Sequence, residues 1–221
     1  MKRELVLGHL LSEGIIQNLN EIIKIQFSKA GKCKVTLKPN IHLDSRIISS
    51  LPFARVITTV CSQTNNWPLS KLLDRIKIPK VEPNFRVNAQ LIVEACRHLN
   101  TLARIFRETG GVHAAAIFSS IGDLISFAED VGRHNAVDKA IGAASIHGHV
   151  LSESFLTSTG RLSGDIVLKT ARVKIPIVAS LAATLSSGVK IAEMTGITLI
   201  GFVRGHRMNI YTHPKRVIVG N

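Results

Sequence analysis

Acidic residues are scarce in this chain of 221 residues: 15 Asp and Glu stand against 28 Lys and Arg, a formal net charge of +13 at pH 7. Such a field attracts polyanions, whether nucleic acid, nucleotide phosphates or an acidic protein surface. A basic balance can also serve solubility alone. Aromatics are few, at 5% with one Trp and one Tyr, and none interleaves with Lys/Arg clusters. A stacking platform for single-stranded nucleic acid is therefore disfavoured. Cysteine is rarer still. Cys33, Cys61 and Cys96 form no CxxC pair and no zinc-ligand spacing. An odd count in a chain expected to be cytoplasmic argues for free thiols. No apolar run approaches the ~18 residues of a membrane span. Glu4 and His9 interrupt the N-terminal stretch, so a secretory signal is not expected. Walker A and GxGxxG patterns are both missing.

What is present suits a globular α/β protein. Hydrophobic residues make up 45% of the chain, enough for a sizeable core. Residues 5–20 read as one or two short helical stretches broken at Gly14. Residues 23–27 and 34–37 alternate about Ala30-Gly31-Lys32 as a hairpin. Residues 40–86 are irregular and contain Pro52, Pro68, Pro79 and Pro83. From Asn88, a plausible N-cap, apolar residues recur at helical spacing through Phe106. Strands at 112–119 and 121–127 follow, then a helix at 133–144. Beyond it come a strand at 154–159, a helix at 163–173, a strand at 175–181, a helix at 184–195 and strands at 197–203 and 208–212. This alternation predicts an α/β sandwich with a mixed sheet over residues 87–221, and a smaller N-terminal lobe over 1–86.

Polar residues collect where strands hand over to helices, at Glu129–Asn135, Thr157–Gly164 and Leu181–Thr184, and at the end of a fourth strand, Phe202–Arg207. In open α/β sheets these carboxyl ends are where ligands bind. Helix N-termini favour anions there, and Arg133, Arg161, Arg204 and Arg207 supply forked donors suited to phosphate. Each segment alone is more simply read as a turn with a capping residue, and only the four together suggest a shared anion pocket. Cys61 sits in the Pro-rich stretch, where a loop thiol in a basic protein can carry a stabilised thiolate. Cys96 fits the buried face of a helix, and Cys33 lies beside the hairpin. His147-Gly148-His149 reads as a solvated loop for want of further ligands. His113 reads as a packed strand residue, and His134, beside Arg133 and Asp138, as a site candidate.

Several of these strings, in this order, resemble the formate dehydrogenase accessory sulfurtransferases, the FdhD family. They are Gly8-His9-Leu10-Leu11-Ser12-Glu13-Gly14-Ile15-Ile16, Gly110-Gly111-Val112-His113-Ala114-Ala115 and Glu129 through Lys139. Thr159-Gly160-Arg161 through Ser163, Gly196 through Phe202, and Tyr211-Thr212-His213-Pro214 complete the set. The resemblance implies a cytidine-deaminase-like three-layer α/β/α sandwich in a cytoplasmic homodimer. Zinc deamination would need H-x-E and P-C-x-x-C, but His113-Ala114-Ala115 lacks the Glu and Leu181–Thr184 lacks Cys.

Members of this family carry sulfur from a cysteine desulfurase to the molybdenum or tungsten bis-pterin guanine dinucleotide cofactor of formate dehydrogenase. On this resemblance Cys61 is the persulfide-bearing residue. Phe202, Val203, Arg204, Gly205, His206 and Arg207, with Arg133, His134, Gly160 and Arg161, hold the cofactor's guanine nucleotides or phosphates. Two departures accompany the match. Thr64 stands where the family's loop has a second Cys, and Ser62 and Asn65 replace its flanking glycines. The sequence also starts almost at the Gly8 string, where the family carries a further strand-rich segment. A cofactor-binding chaperone that moves no sulfur is the alternative. A nucleic-acid binder, resting on charge alone, is a weaker third.

Overall fold

The structure, a computed structural model, describes residues 1–41, 80–82 and 84–220. Helix α1 (Lys2–Ser12) opens the chain. The hairpin of β1 (Ile22–Phe27) and β2 (Cys33–Leu37) turns where expected, with the Ser28 N–H donating to the Lys32 carbonyl at 2.8 Å. After the short strand β3 (Val87–Asn88), α2 (Ala89–Leu102) is capped by the Asn88 side chain, which accepts from the Gln90 N–H at 2.8 Å.

The helix expected through Phe106 breaks instead at Ala103, whose backbone leaves the helical region, and α3 (Arg104–Thr109) restarts at the next residue. Its N-terminus is satisfied by Glu129, whose carboxylate accepts from the Phe106 N–H at 2.8 Å. A partner distant in sequence thus meets the orphan donors of a new helix end.

β4 (His113–Ser119) and β5 (Leu124–Asp130) form an antiparallel pair. β5 starts three residues later than its hydrophobicity suggests. Ile121 and Gly122 belong to the turn, where Gly122 takes φ +90°, open to glycine at little cost. Then follow α4 (Arg133–Ile146), β6 (Ser154–Ser158), α5 (Gly164–Arg172), β7 (Ile177–Ser180), α6 (Ser186–Thr195), β8 (Thr198–Arg204) and β9 (Arg207–Ile210). The short β10 (Val217–Ile218) pairs in parallel with β3.

The main sheet runs in the order β5-β4-β6-β7-β8-β9. β6, β7 and β8 are parallel, while β4 and β9 run against their neighbours. Strand alternation divides its side chains between two buried layers. Ala115, Ile117, Leu156, Val178 and Leu199 meet Leu11 of α1, Val137 and Ile141 of α4, Val167 of α5 and Ile191 of α6. Ala114, Ala116, Phe118, Phe155, Ile177 and Ile200 meet Ile92, Cys96 and Leu99 of α2. The result is a three-layer α/β/α sandwich with a mixed sheet. Because β4 is antiparallel to both β5 and β6, the ends of β5, β6, β7 and β8 and the start of β4 share one edge.

α1 and α4 cross at a pair of glycines. A Cβ on Gly8 would land on the Asp138 carbonyl, and one on Gly142 on the Glu4 carbonyl. This close approach brings a charged cluster together beneath α1. Lys169 Nζ lies 2.6 Å from Glu13 Oε1 and 3.0 Å from Asp138 Oδ2. Ser12 Oγ donates to Asp138 Oδ1 at 2.7 Å, and His9 Nδ1 is 3.2 Å from Asp138 Oδ2. Arg172 completes the cluster, 3.0 Å from Glu13 Oε2. Burial alone would raise the Asp138 carboxyl, but hydrogen bonds from His9 and Ser12 and the Lys169 charge hold it below the usual carboxylate range. His9, Ser12 and Glu13 of the Gly8 string therefore have structural partners.

Candidate functional site

Between α2 and the carboxyl ends of β6, β7 and β8 lies an open cleft of about 500 Å³. Val93, Cys96, Arg97 and Asn100 line it from α2, and Phe106 from α3. Thr159, Leu181 and Ala182 line it from the loops after β6 and β7, and Val203, Arg204 and Gly205 from the end of β8. The walls are largely apolar, with two guanidinium groups and one amide as the long polar side chains and no carboxylate among the lining residues. A concave apolar pocket with a few convergent polar groups is the usual form of a small-molecule site.

Local backbone geometry builds the β8 side of this cleft. The ladder between β8 and β9 shifts register between Gly201 and Arg204. At the shift Phe202 adopts φ +52°, a conformation rare for a bulky residue. Its N–H donates to the Ala182 carbonyl at 3.0 Å, which ties the bulge to the neighbouring loop. Gly201 fits because a Cβ there would press on Thr184 Oγ1. The Phe202 ring remains 40% exposed, with the Arg204 guanidinium 6.0 Å from its centroid. His206 and Arg207 are exposed in the turn to β9, beyond the lining of the cleft.

The second group of expected residues lies along the same sheet edge, toward the N-termini of α4 and α5. Gly160 is pressed against Arg133, where a Cβ would sit 2.9 Å from the Arg133 Cβ. Arg161 is exposed. His113 feels both cations: burial lowers its pKa first, and the Arg133 and Arg161 charges lower it further. Burial also pushes His134 down to about 4, with Arg133 and Lys169 adding to the effect, so its imidazole is neutral at pH 7. Its Nε2 stands 3.9 Å from the Asp165 carboxylate, which burial in turn raises.

Three buried polar atoms with no hydrogen-bond partner among the described residues fall on this edge: Arg133 Nε, Ser163 Oγ and Thr184 Oγ1. Ser163 occupies the N-cap of α5 without making a side-chain cap. Donors left unmatched beside a helix N-terminus suit an anionic group.

The Glu129–Lys139 string divides between site and scaffold. Glu129 caps α3. Asp130 accepts from the Gly132 N–H at 2.9 Å and pairs with Lys139 at 2.6 Å. Arg133, against Gly160, and His134, beside Asp165, are the members of this string that meet the loops after β6. Arg97, Asn100 and Phe106 of the cleft do not stand out in the sequence. Their signal is the polar face and end of an amphipathic helix, which any surface helix displays.

Of the thiols, Cys96 is buried against the cleft and burial pushes it up to about 12, so it remains protonated at neutral pH. Cys33 is half-buried on β2. Cys61, the expected sulfur acceptor, lies outside the described residues. No group of three His, Cys, Asp or Glu side chains among the described residues is placed to hold a metal ion. No helix among them is long and apolar enough to cross a membrane.

Comparison with known proteins adds a family to this geometry. Residues 1–218 match the FdhD/NarQ family. The sulfur carrier protein FdhD of Methanothermobacter thermautotrophicus is 37% identical over 217 residues, 97% of this chain and 80% of that protein. Its namesake in Thermoplasma acidophilum is 35% identical over 221 residues, 99% of this chain and 76% of that one. Among solved structures, a formate dehydrogenase accessory protein from Desulfotalea psychrophila superposes with a TM-score of 0.71 at 27% identity. The match covers 98% of this chain and 78% of that one.

Proposed function

Because this chain belongs to the FdhD/NarQ family, we propose that it is a sulfur carrier serving the maturation of a formate dehydrogenase or a related molybdoenzyme. The observation that carries this reading is the nearly full-length match to sulfur carrier proteins at 37% identity. In the proposed reaction the Cys61 thiolate attacks the outer sulfur of a persulfide on a cysteine desulfurase. The donor's S–S bond breaks, its cysteine leaves as thiolate, and Cys61 becomes the persulfide. A thiol held near 12, as Cys96 is, cannot take this role at neutral pH.

The client is the guanine dinucleotide form of the molybdenum or tungsten cofactor, and the sulfur passes to it in the cytoplasm from a homodimeric carrier. The cleft supports this reading through its apolar walls and its Arg204. The edge supports it through Arg133, Arg161, His134, Gly160 and the unmatched donor of Ser163. Phosphates and a purine need that combination of cations, free donors and apolar surface.

The test is an intact mass spectrum after incubation with a cysteine desulfurase and cysteine, for wild type and Cys61→Ala. A gain of one sulfur in wild type alone, reversed by reductant, is expected. Thr64, standing where a second Cys would allow a two-thiol relay, favours one other outcome. If Cys61 is open to alkylation yet gains no sulfur, the protein is a cofactor-binding chaperone.

A further inference from the structure

Away from the cleft and the sheet edge, the β1–β2 hairpin forms a sheet of two strands. Each strand therefore has one rim with no ladder partner among the described residues. Hydrogen bonds at the two ends of β2 fix which groups its rim presents. The Ser28 N–H donates to the Lys32 carbonyl at 2.8 Å, and the Lys38 N–H to the Glu21 carbonyl at 2.9 Å. Inward-bonding and outward-facing residues alternate along an antiparallel strand. Lys34 and Thr36 thus bond inward to β1, while Cys33, Val35 and Leu37 turn their N–H and C=O groups outward.

Side chains alternate between the two faces on the same period. Val35 and Leu37 lie half-buried on one face, and Leu37 packs against the main core. Lys24, Gln26, Lys34 and Thr36 occupy the other face, and all are exposed. Residues 22–38 hold Lys24, Lys29, Lys32, Lys34 and Lys38 and no Asp or Glu. None of these lysines has an ion-pair partner among the described residues.

We propose that the β2 rim is a docking site for an extended acidic segment of a partner protein. The segment adds as a further strand beside β2, with Asp or Glu at alternate positions on the lysine face and apolar residues between them.

The open rim supplies backbone hydrogen bonds to any strand, and alternate side chains supply the specificity. On the polar face an incoming carboxylate meets Lys34, with Lys32 and Lys38 continuing the same parity at the ends of β2. Opposite charges on neighbouring strands attract across such a ladder. On the other face Phe27, paired with Cys33, is 48% exposed and offers apolar surface to the intervening residues.

Other occupants and the other rim fit less well. Lysines on a free edge ordinarily guard against pairing with a like strand. A second copy of the hairpin would bring its own Lys34 to this one, and like charges across a ladder repel. The same lysines favour an acidic strand. A nucleic-acid backbone offers phosphate acceptors for the outward N–H groups but no phosphate donors for the carbonyls between them. The β1 rim is disturbed by a register shift between Ile22 and Lys24, whereas β2 pairs without a break from Cys33 to Leu37.

The experiment measures fluorescence anisotropy of labelled probes titrated with the full chain. The probes are a peptide alternating Glu and Val, a peptide of the same composition with its Glu residues grouped at one end, and an oligothymidylate. The proteins are wild type, Lys34→Glu, Val35→Pro and a charge-reversal control, Lys190→Glu, exposed on α6. Proline at 35 removes an outward N–H and no bond to β1, as edge positions allow. Thermal melts verify folding, and Lys34→Glu carries the test if Val35→Pro does not fold.

Wild type is expected to bind the alternating peptide more tightly than the grouped one. Lys34→Glu is expected to weaken that binding by about tenfold, as an attractive cross-strand pair becomes a repulsive one. Val35→Pro is expected to weaken it by a similar factor of about ten through the lost backbone bond. Lys190→Glu is expected to leave it within about twofold. On saturation with the peptide, hydrogen exchange at the Val35 and Leu37 amides is expected to slow by about tenfold or more.

A wild type that does not bind the alternating peptide overturns the proposal. So does binding that leaves exchange at Val35 and Leu37 unchanged, or that Lys190→Glu weakens as much as Lys34→Glu. Binding of the oligothymidylate without the peptide also overturns it, since the hairpin would then be a surface for polyanions in general.

Discussion

On the α1–α4–α5 side of the sheet, Lys169 and Arg172 are matched against Glu13 and Asp138, with contacts of 2.6 to 3.0 Å. On the α2 side, Arg97 and Arg204 reach an open cleft that no carboxylate lines. Both sides are strongly cationic in sequence. The difference is that the first set is buried and the second is not. Ions withdrawn from water must be paired and hydrogen-bonded, so their chemistry is spent on the fold. Ions at the mouth of a cleft keep their hydration until a ligand replaces it. Positive charge alone therefore identifies neither kind of residue, and pairing separates them.

The comparison can be broken most forcefully at the buried cluster. Asp138→Ala leaves Lys169 with one carboxylate fewer at a site where its own side chain is 7% exposed. The expected loss is about 3–5 kcal/mol of stability in urea unfolding, as for other buried pairs that lose one member. Replacing both partners, Asp138→Leu with Lys169→Met, is expected to recover much of that loss. A double variant no better than the single one would mean that the cluster does more than satisfy itself.

A second, smaller effect is a pH dependence that separates the edge histidine from an exposed one. His134 is held at about 4 in the fold, against about 6.5 in an unfolded chain. Between those values the unfolded chain binds a proton that the folded chain refuses, so stability falls as pH falls through that window. His134→Asn is expected to flatten that part of a plot of urea midpoint against pH. Asp138 continues the decline below about 3.9, the ordinary aspartate value. Its stabilisation is complete above that pH and is lost as pH drops through its lower folded value. An unchanged slope in the His134 variant would place the proton uptake elsewhere.

The smallest effect is the most telling for the cleft. Arg97→Ala and Arg204→Ala, alone or together, are expected to change unfolding stability by less than about 0.5 kcal/mol each, because neither is paired with a carboxylate in the fold. If the pair cost as much as Asp138→Ala, the two sides of the sheet would not differ in kind.

Most strands and helices from Asn88 onward were legible from hydrophobic period and glycine punctuation, because burial on one helix stripe or one strand face repeats every few residues. The misses have separate causes. The break at Ala103 depends on Glu129, which reaches α3 from a different strand. The late start of β5 depends on the turn at Gly122. Glu129 is too far along the chain from Ala103 to leave a periodic trace, and at Gly122 a local turn overrides the apolar signal of Ile121.

The edge segments were legible as polar strand ends, and the sheet order places them side by side. The α2 wall was not, since Arg97 and Asn100 differ from solvent-facing residues only through what lies across from them.

Charge balance, the three thiols, the alternation of strands and helices and the family motifs are properties of the chain itself, and they determine the fold class and the family. They could not decide which charges pair. Glu13 meets Lys169, and Arg133 meets Gly160, only once α1 has docked on α4 and the parallel strands have stacked their carboxyl ends at one edge. Pairing is a matter of a few ångströms between residues far apart in sequence. The tertiary structure therefore decided which arginines are paired within the scaffold and which face an open cleft.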